Sequence, residues 1–193
     1  MSRSVPDGTL LDKMGIARDE LLDRIVAEVA VHGLADRSMR ELAASVGSSH
    51  RMLLYHFGSR DGLVAAIVGF TEAAQRDALR ELAVGARSPA DLVRQLWARV
   101  SSPELRPFVR LFFETLATQA RSPGRATDPT ADWLDAVRGL GPVAEAYDDT
   151  DTRLGIAVMR GLLVDVLATG DVQAATAALE RHLAASQTQS SVA

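Results

Sequence analysis

Proline is the residue that most constrains what this chain can fold into. Seven occur in 193 residues, and none lies between Asp7 and Ser88 or after Pro142. Two long tracts therefore lack the residue that breaks helices. Alternating β-branched runs are missing, and Ala, Leu, Arg and Glu, all strong helix formers, dominate. The chain is predicted to be all-α. Its 47% hydrophobic and 24% charged composition is that of a folded protein, and its length suits one or two domains. The absence of cysteine excludes disulfides, thiolate metal sites and a cysteine nucleophile. No uncharged stretch approaches the roughly 18 residues that span a bilayer; Gly62 to Thr71 covers ten. Met1 to Leu11 has no apolar core of signal-peptide type, so a cytoplasmic location is expected.

Glycine, serine and proline set the expected boundaries. Residues 1–16 carry no clean periodicity and read as a flexible tail. From Arg18, Leu22, Ile25, Val26 and Val29 repeat at helical spacing as far as His32-Gly33. Ser38-Met39-Arg40-Glu41 is a capping-box pattern that opens a short helix ending at Gly47. Ser48 is the expected cap of a second short helix, Gly58 its stop, and Ser59 the cap of a long helix to about Ala83. Further helices are expected after Pro89, after Pro103 to about Ala120, over about 131–146, from the Asp148 cap to Ala168, and over about 171–185. A loop is expected at 121–130 and a frayed tail after Ser186.

The segment 38–60 has more specific content. Two short helices joined at Gly47, with the small Ala43 four residues before it, form a helix-turn-helix pattern. The glycine tolerates the positive φ of the turn and the alanine lets the helices approach. Ser48-Ser49-His50-Arg51 opens the second helix with donors for phosphates or base edges. Tyr55 and His56 can also donate, while Met52, Leu53 and Phe57 are expected in the core. Arg60, in the first turn of the next helix, opposes the helix dipole, which makes sense where a phosphate sits between them. The net charge of −4 argues against a polyanion partner only when taken whole. Residues 37–60 hold four arginines and one acid, +3, leaving −7 on the other 169.

Residues about 18–65 resemble the DNA-binding domain of the TetR family of bacterial transcription regulators. The resemblance rests on Ser38-Met39-Arg40-Glu41-Leu42-Ala43, Gly47-Ser48-Ser49-His50, and Leu53-Leu54-Tyr55-His56-Phe57-Gly58-Ser59-Arg60-Asp61. Three positions depart from the pattern. Leu54 stands where a polar or aromatic residue is usual, Met52 where a small polar one is common, and Arg60 where lysine is common. The expected DNA contacts are Ser38, Arg40, Ser48, Ser49, His50, Arg51, Tyr55, His56 and Arg60.

The second half reads as a helical ligand-binding and dimerisation bundle. The helix from Thr152 to Ala168 is apolar on nearly every side, so a second copy of the chain is its expected cover. The resemblance places that interface on the last two helices, through Leu154, Val158, Gly161, Leu162, Asp165 and Leu179. Trp97, Phe108, Phe112, Phe113, Trp133 and Tyr147 hold six of nine aromatics; singly they read as core, together as the lining of a small-molecule site with Met159 and Arg160. The four histidines are scattered, with His50 and His56 six apart. No metal site, cofactor or catalytic constellation is expected, and the chain is not expected to be an enzyme.

The sequence therefore predicts about nine helices: a tail at 1–16, a three-helix DNA-binding domain at 17–62, a ligand and dimer domain at 63–186, and a tail at 187–193. The partners expected are a palindromic double-stranded operator, a second copy of the chain, and an apolar or amphipathic effector whose binding releases a repressor. A regulator without a small-molecule effector, and an all-α enzyme that merely contains a helix-turn-helix, stay open as alternatives.

Overall fold

The computed structural model describes residues 8–34, 37–120, 128–141 and 147–190. Every regular element among them is helical. Helix α1 spans Gly8–His32 and so begins ten residues before Arg18, correcting the expected tail from residue 8 onward. Leu10, Leu11, Lys13 and Met14 are good helix formers, and extending a nucleated helix is cheap even without an amphipathic pattern.

The backbone divides into two compact units, residues 1–70 and 71–193. The division falls inside α4 (Arg60–Gly85). Its first turns belong to the first unit, where Leu63 and Ile67 are fully buried.

In the first unit α2 spans Met39–Ser45 and α3 spans His50–Phe57. The capping box forms as read. Glu41 N donates to Ser38 Oγ at 3.2 Å, and Ser38 N donates to Glu41 Oε2 at 2.8 Å. Gly47 turns the chain at φ +66°, and Ser48 N then donates to Ala43 O at 2.8 Å across the buried Ala43. Arg24 of α1 fastens the same turn, its Nη1 donating to Val46 O at 3.0 Å. The cap of α3 is Ser49 rather than Ser48. Ser49 has the extended backbone that an N-cap requires, and its Oγ accepts from Met52 N at 3.2 Å. At the α3–α4 junction Gly62 N donates to Ser59 Oγ at 3.0 Å. A Cβ at Gly62 would lie 2.1 Å from Phe57 O, so only glycine fits there.

The second unit holds the rest of α4, α5 (Pro89–Val100), a 3₁₀ turn (Pro103–Leu105), α6 (Arg106–Ala120), α7 (Ala131–Arg138), α8 (Asp149–Thr169) and α9 (Val172–Ser190). Most starts obey local chemistry: Ser88 Oγ accepts from Asp91 N, and Asp148 Oδ1 accepts from Thr150 N and Asp151 N at 2.7 and 2.8 Å. Helix α7 is shorter than the expected 131–146 because Gly139 takes its C-cap position. The last residues of that span, and most of the loop expected at 121–130, lie outside the described residues. Helix α9 continues to Ser190, which corrects the tail expected from 187. Leu79, Leu96, Trp97, Val166, Leu179 and Leu183 anchor the core of this unit. Arg94 of α5 and Glu180 of α9 form a forked pair at 2.8–3.0 Å.

Candidate functional site

Helix α3 divides cleanly into two faces. Leu53 and Phe57 are buried, and the Arg18 guanidinium of α1 lies 5.3 Å over the Phe57 ring. Arg51, Met52 and Tyr55 stand exposed on the opposite face. Met52, expected in the core, is 41% exposed because Leu53 and Phe57 already supply the inward face. Tyr55 is 60% exposed, its ring edge-on to His56 at 5.0 Å. His50 and His56 are half-buried. Ser48 is half-buried just before the helix, and Ser49 spends its hydroxyl on the cap, as Ser38 does on α2.

The four arginines of the basic segment are not equivalent. Arg37 donates to Glu28 Oε1 at 2.6 Å, and that bond holds the Glu28 carboxyl below its usual range. Arg60 donates from Nη1 to Arg37 O and from Nη2 to Leu34 O at 2.9 Å. A cation in the first turn of α4 thus has a structural reason that needs no phosphate. Arg40 and Arg51 are exposed, and no ion pair holds either among the described residues. The exposed positive charge of the segment is concentrated on these two.

The second unit brings together part of the expected aromatic set. Phe112 and Phe113 on α6 meet edge to face at 5.2 Å, and the Arg160 guanidinium of α8 lies 5.1 Å over Phe112. Arg160 also donates to Thr130 Oγ1 at 2.8 Å and to Pro129 O at 3.1 Å. Trp133 Nε1 donates to Glu72 Oε2 at 2.7 Å. Burial raises the Glu72 carboxyl above its ordinary value, against the Trp133 hydrogen bond and the charges of Arg160 and Arg76. Burial likewise lowers the Arg160 guanidinium, against the Glu72 and Asp128 carboxylates. Sequence reasoning missed Glu72, since an isolated glutamate in a long helix carries no signal of burial. Thr115, one turn after Phe112, has a buried hydroxyl with no partner among the described residues.

The remaining candidates are placed elsewhere. Trp97 is buried in the core with its Nε1 satisfied by Thr176 Oγ1 at 2.8 Å, and Phe108 is buried on α6. Met159 packs half-buried against the same core. Tyr147 is half-buried, which raises its phenol. A cleft lined by Ser102, Arg106, Val109, Leu163 and Leu167 encloses about 10 Å³, room for one water and too little for an organic effector. On α8, Leu154, Gly161 and Asp165 are exposed, whereas Val158 and Leu162 are half-buried against their own core. Leu179 is corrected: at 1% exposure it is a core residue and offers no surface to a second copy.

Comparison with known proteins gives these geometries a context. Residues 21–67 match the family described as bacterial regulatory proteins, tetR family. No curated protein matches the sequence. A TetR-family transcriptional regulator from Pectobacterium atrosepticum shares the fold at TM-score 0.71 and 20% identity, over 89% of this chain and 92% of that one. A Rhodococcus sp. protein assigned to the same family aligns at TM-score 0.64 and 23% identity, over 87% and 96%. The multidrug binding protein EbrR, solved with imidazole, aligns at TM-score 0.56 and 28% identity, over 86% and 88%. No helix among the described residues is long and apolar enough to cross a membrane.

Proposed function

We propose that this chain, built on a tetR-family domain at residues 21–67, is a homodimeric transcription regulator that binds a palindromic operator through α3. The observation that carries the reading is the outward face of that helix. Arg51 and Tyr55 stand exposed, Arg40 stands exposed on α2, and no ion pair holds either arginine among the described residues. Such groups suit phosphate and base-edge contacts. Two copies related by a two-fold axis would present two such helices about 34 Å apart, the spacing of successive major grooves. The test is binding of the full chain to fragments of its own promoter region at several salt concentrations. Arg51→Ala with Tyr55→Ala should cut affinity by at least tenfold; unchanged affinity would remove these residues from the interface.

Release of a repressor by a small molecule is the second part of the reading. It is supported by the part-buried Glu72, Trp133, Arg160 and Phe112 group, and on the helix of Phe112 by the Thr115 hydroxyl, which has no partner among the described residues, because polar groups beside aromatic walls suit an amphipathic ligand. EbrR, a structural neighbour, is a multidrug binding protein. Helix α4 belongs to both units and is the element through which an effector would shift the preference for DNA. A thermal-shift screen of amphipathic compounds tests this. A stabilising compound should lose its effect in Arg160→Ala and should lower operator affinity in the native chain.

A further inference from the structure

We propose that Met52 reads the 5-methyl group of thymine in the operator's major groove, and so helps set the sequence this regulator recognises. The inference rests on the DNA-binding reading above. Helix α3 meets its burial needs with Leu53 and Phe57, yet leaves Met52 41% exposed. On this helix the covered part of the side chain can have a packing role, but the exposed part has none. Its position gives the exposed part another. Met52 is the third residue of α3, in the turn closed by Ser49, and the first turn of a reading helix is the part that meets base edges. At 100° per residue, Met52 lies about 60° from Tyr55 and about 100° from Arg51, within the outward face.

The chemistry then narrows the target. A thioether donates nothing and accepts weakly, so it gains little from phosphates or from the polar atoms of base edges. The one apolar group that a natural base edge offers in the major groove is the C5-methyl of thymine. Leu54 is also exposed, at 39%, but lies about 160° from Met52 on the other flank of the outward face, and as the fifth residue of α3 it falls past the first turn. It therefore serves as an internal control.

The test uses the full chain and a random duplex pool. Tight-binding duplexes are selected, and the selected sequence is compared with the same duplex in which uracil replaces every thymine. That exchange removes methyl groups and keeps every donor and acceptor. The native chain should bind the uracil duplex more weakly by about fourfold for each methyl read, and single replacements should trace the loss to one base per half-site. Met52→Ala, at an exposed site in a helix that alanine favours, should bind both duplexes equally, near the native chain's uracil level. Circular dichroism confirms that the variant is folded. Arg51→Ala should weaken both duplexes together and keep their ratio. Equal binding by the native chain overturns the proposal, as does a ratio that survives in Met52→Ala. A ratio lost only in Leu54→Ala would assign the reading to Leu54 instead. If no sequence is enriched at all, the DNA-binding reading falls and this inference falls with it.

Discussion

Arg60 shows how one residue can carry a role that its sequence position misstates. As a cation at a helix start it looks unfavourable, which invites an external phosphate as the explanation. Its guanidinium instead joins the carbonyls of Leu34 and Arg37 to the start of α4. Removing the charged donor takes away both of its hydrogen bonds, and Leu34 O keeps only the longer one from Arg37 N, so Arg60→Ala should cost about 2 kcal/mol in urea unfolding. Arg60→Lys should recover only part, because one ammonium lacks the guanidinium fork. Glu72 makes the complementary case. Its carboxyl is raised in the folded chain, so the folded state holds the proton more tightly than the unfolded one. Its contribution to stability is complete below the ordinary carboxylate range and is lost as pH rises through the raised value. Glu72→Gln keeps an oxygen for Trp133 Nε1 and removes the titration. Melting temperatures from about pH 4 to 8 should therefore show the variant gaining on the native chain as pH rises. Ser38 and Glu41 were readable because their partners lie three residues apart. Glu72 was not, because its burial depends on Trp133, 61 residues away.

At the scale of elements, starts and stops were readable and faces were not. Gly47 and Asp148 announce a turn and a cap through chemistry confined to a few residues. Ser48 and Ser49 are identical in kind, and only the backbone after the Gly47 turn decides which one caps α3. Gly62 gave no signal either, since its need comes from the approach of Phe57 O. Gly62→Ala should push α4 away from the end of α3 and lower the melting temperature, even though alanine is the better helix former. A neutral or stabilised variant would contradict the 2.1 Å approach. Helix α8 makes the same point about faces. Its sequence is apolar all round, but its outer stripe is Leu154, Ala157, Gly161, Val164 and Ala168, with Leu154 55% and Val164 47% exposed. Leu162 packs on its own core, so a charge there would damage the fold as well as an interface. Leu154→Glu with Val164→Glu should instead sediment as a folded monomer. Leu179→Ala, within the core, should cost about 2–5 kcal/mol of stability.

For the whole molecule, the net charge of −4 hides a division of labour that salt dependence can expose. If all four arginines of residues 37–60 served DNA, each would contribute equally to counterion release. The structure separates them: Arg37 pairs with Glu28 and Arg60 binds carbonyls, while Arg40 and Arg51 stand exposed. In the proposed dimer every contact would occur twice. Removing one phosphate contact per head should therefore flatten the plot of log affinity against log salt by about 1.8 units of slope. Arg40→Ala and Arg51→Ala should each approach that change if the side chain meets a phosphate, and a base-edge contact would lower affinity with a smaller change in slope. Arg60→Ala, measured well below its melting temperature, should leave the slope nearly intact while it lowers stability. A slope that falls equally for Arg60 and Arg51 would return Arg60 to the DNA surface and undo the distinction between the cations that build the head and those that read with it.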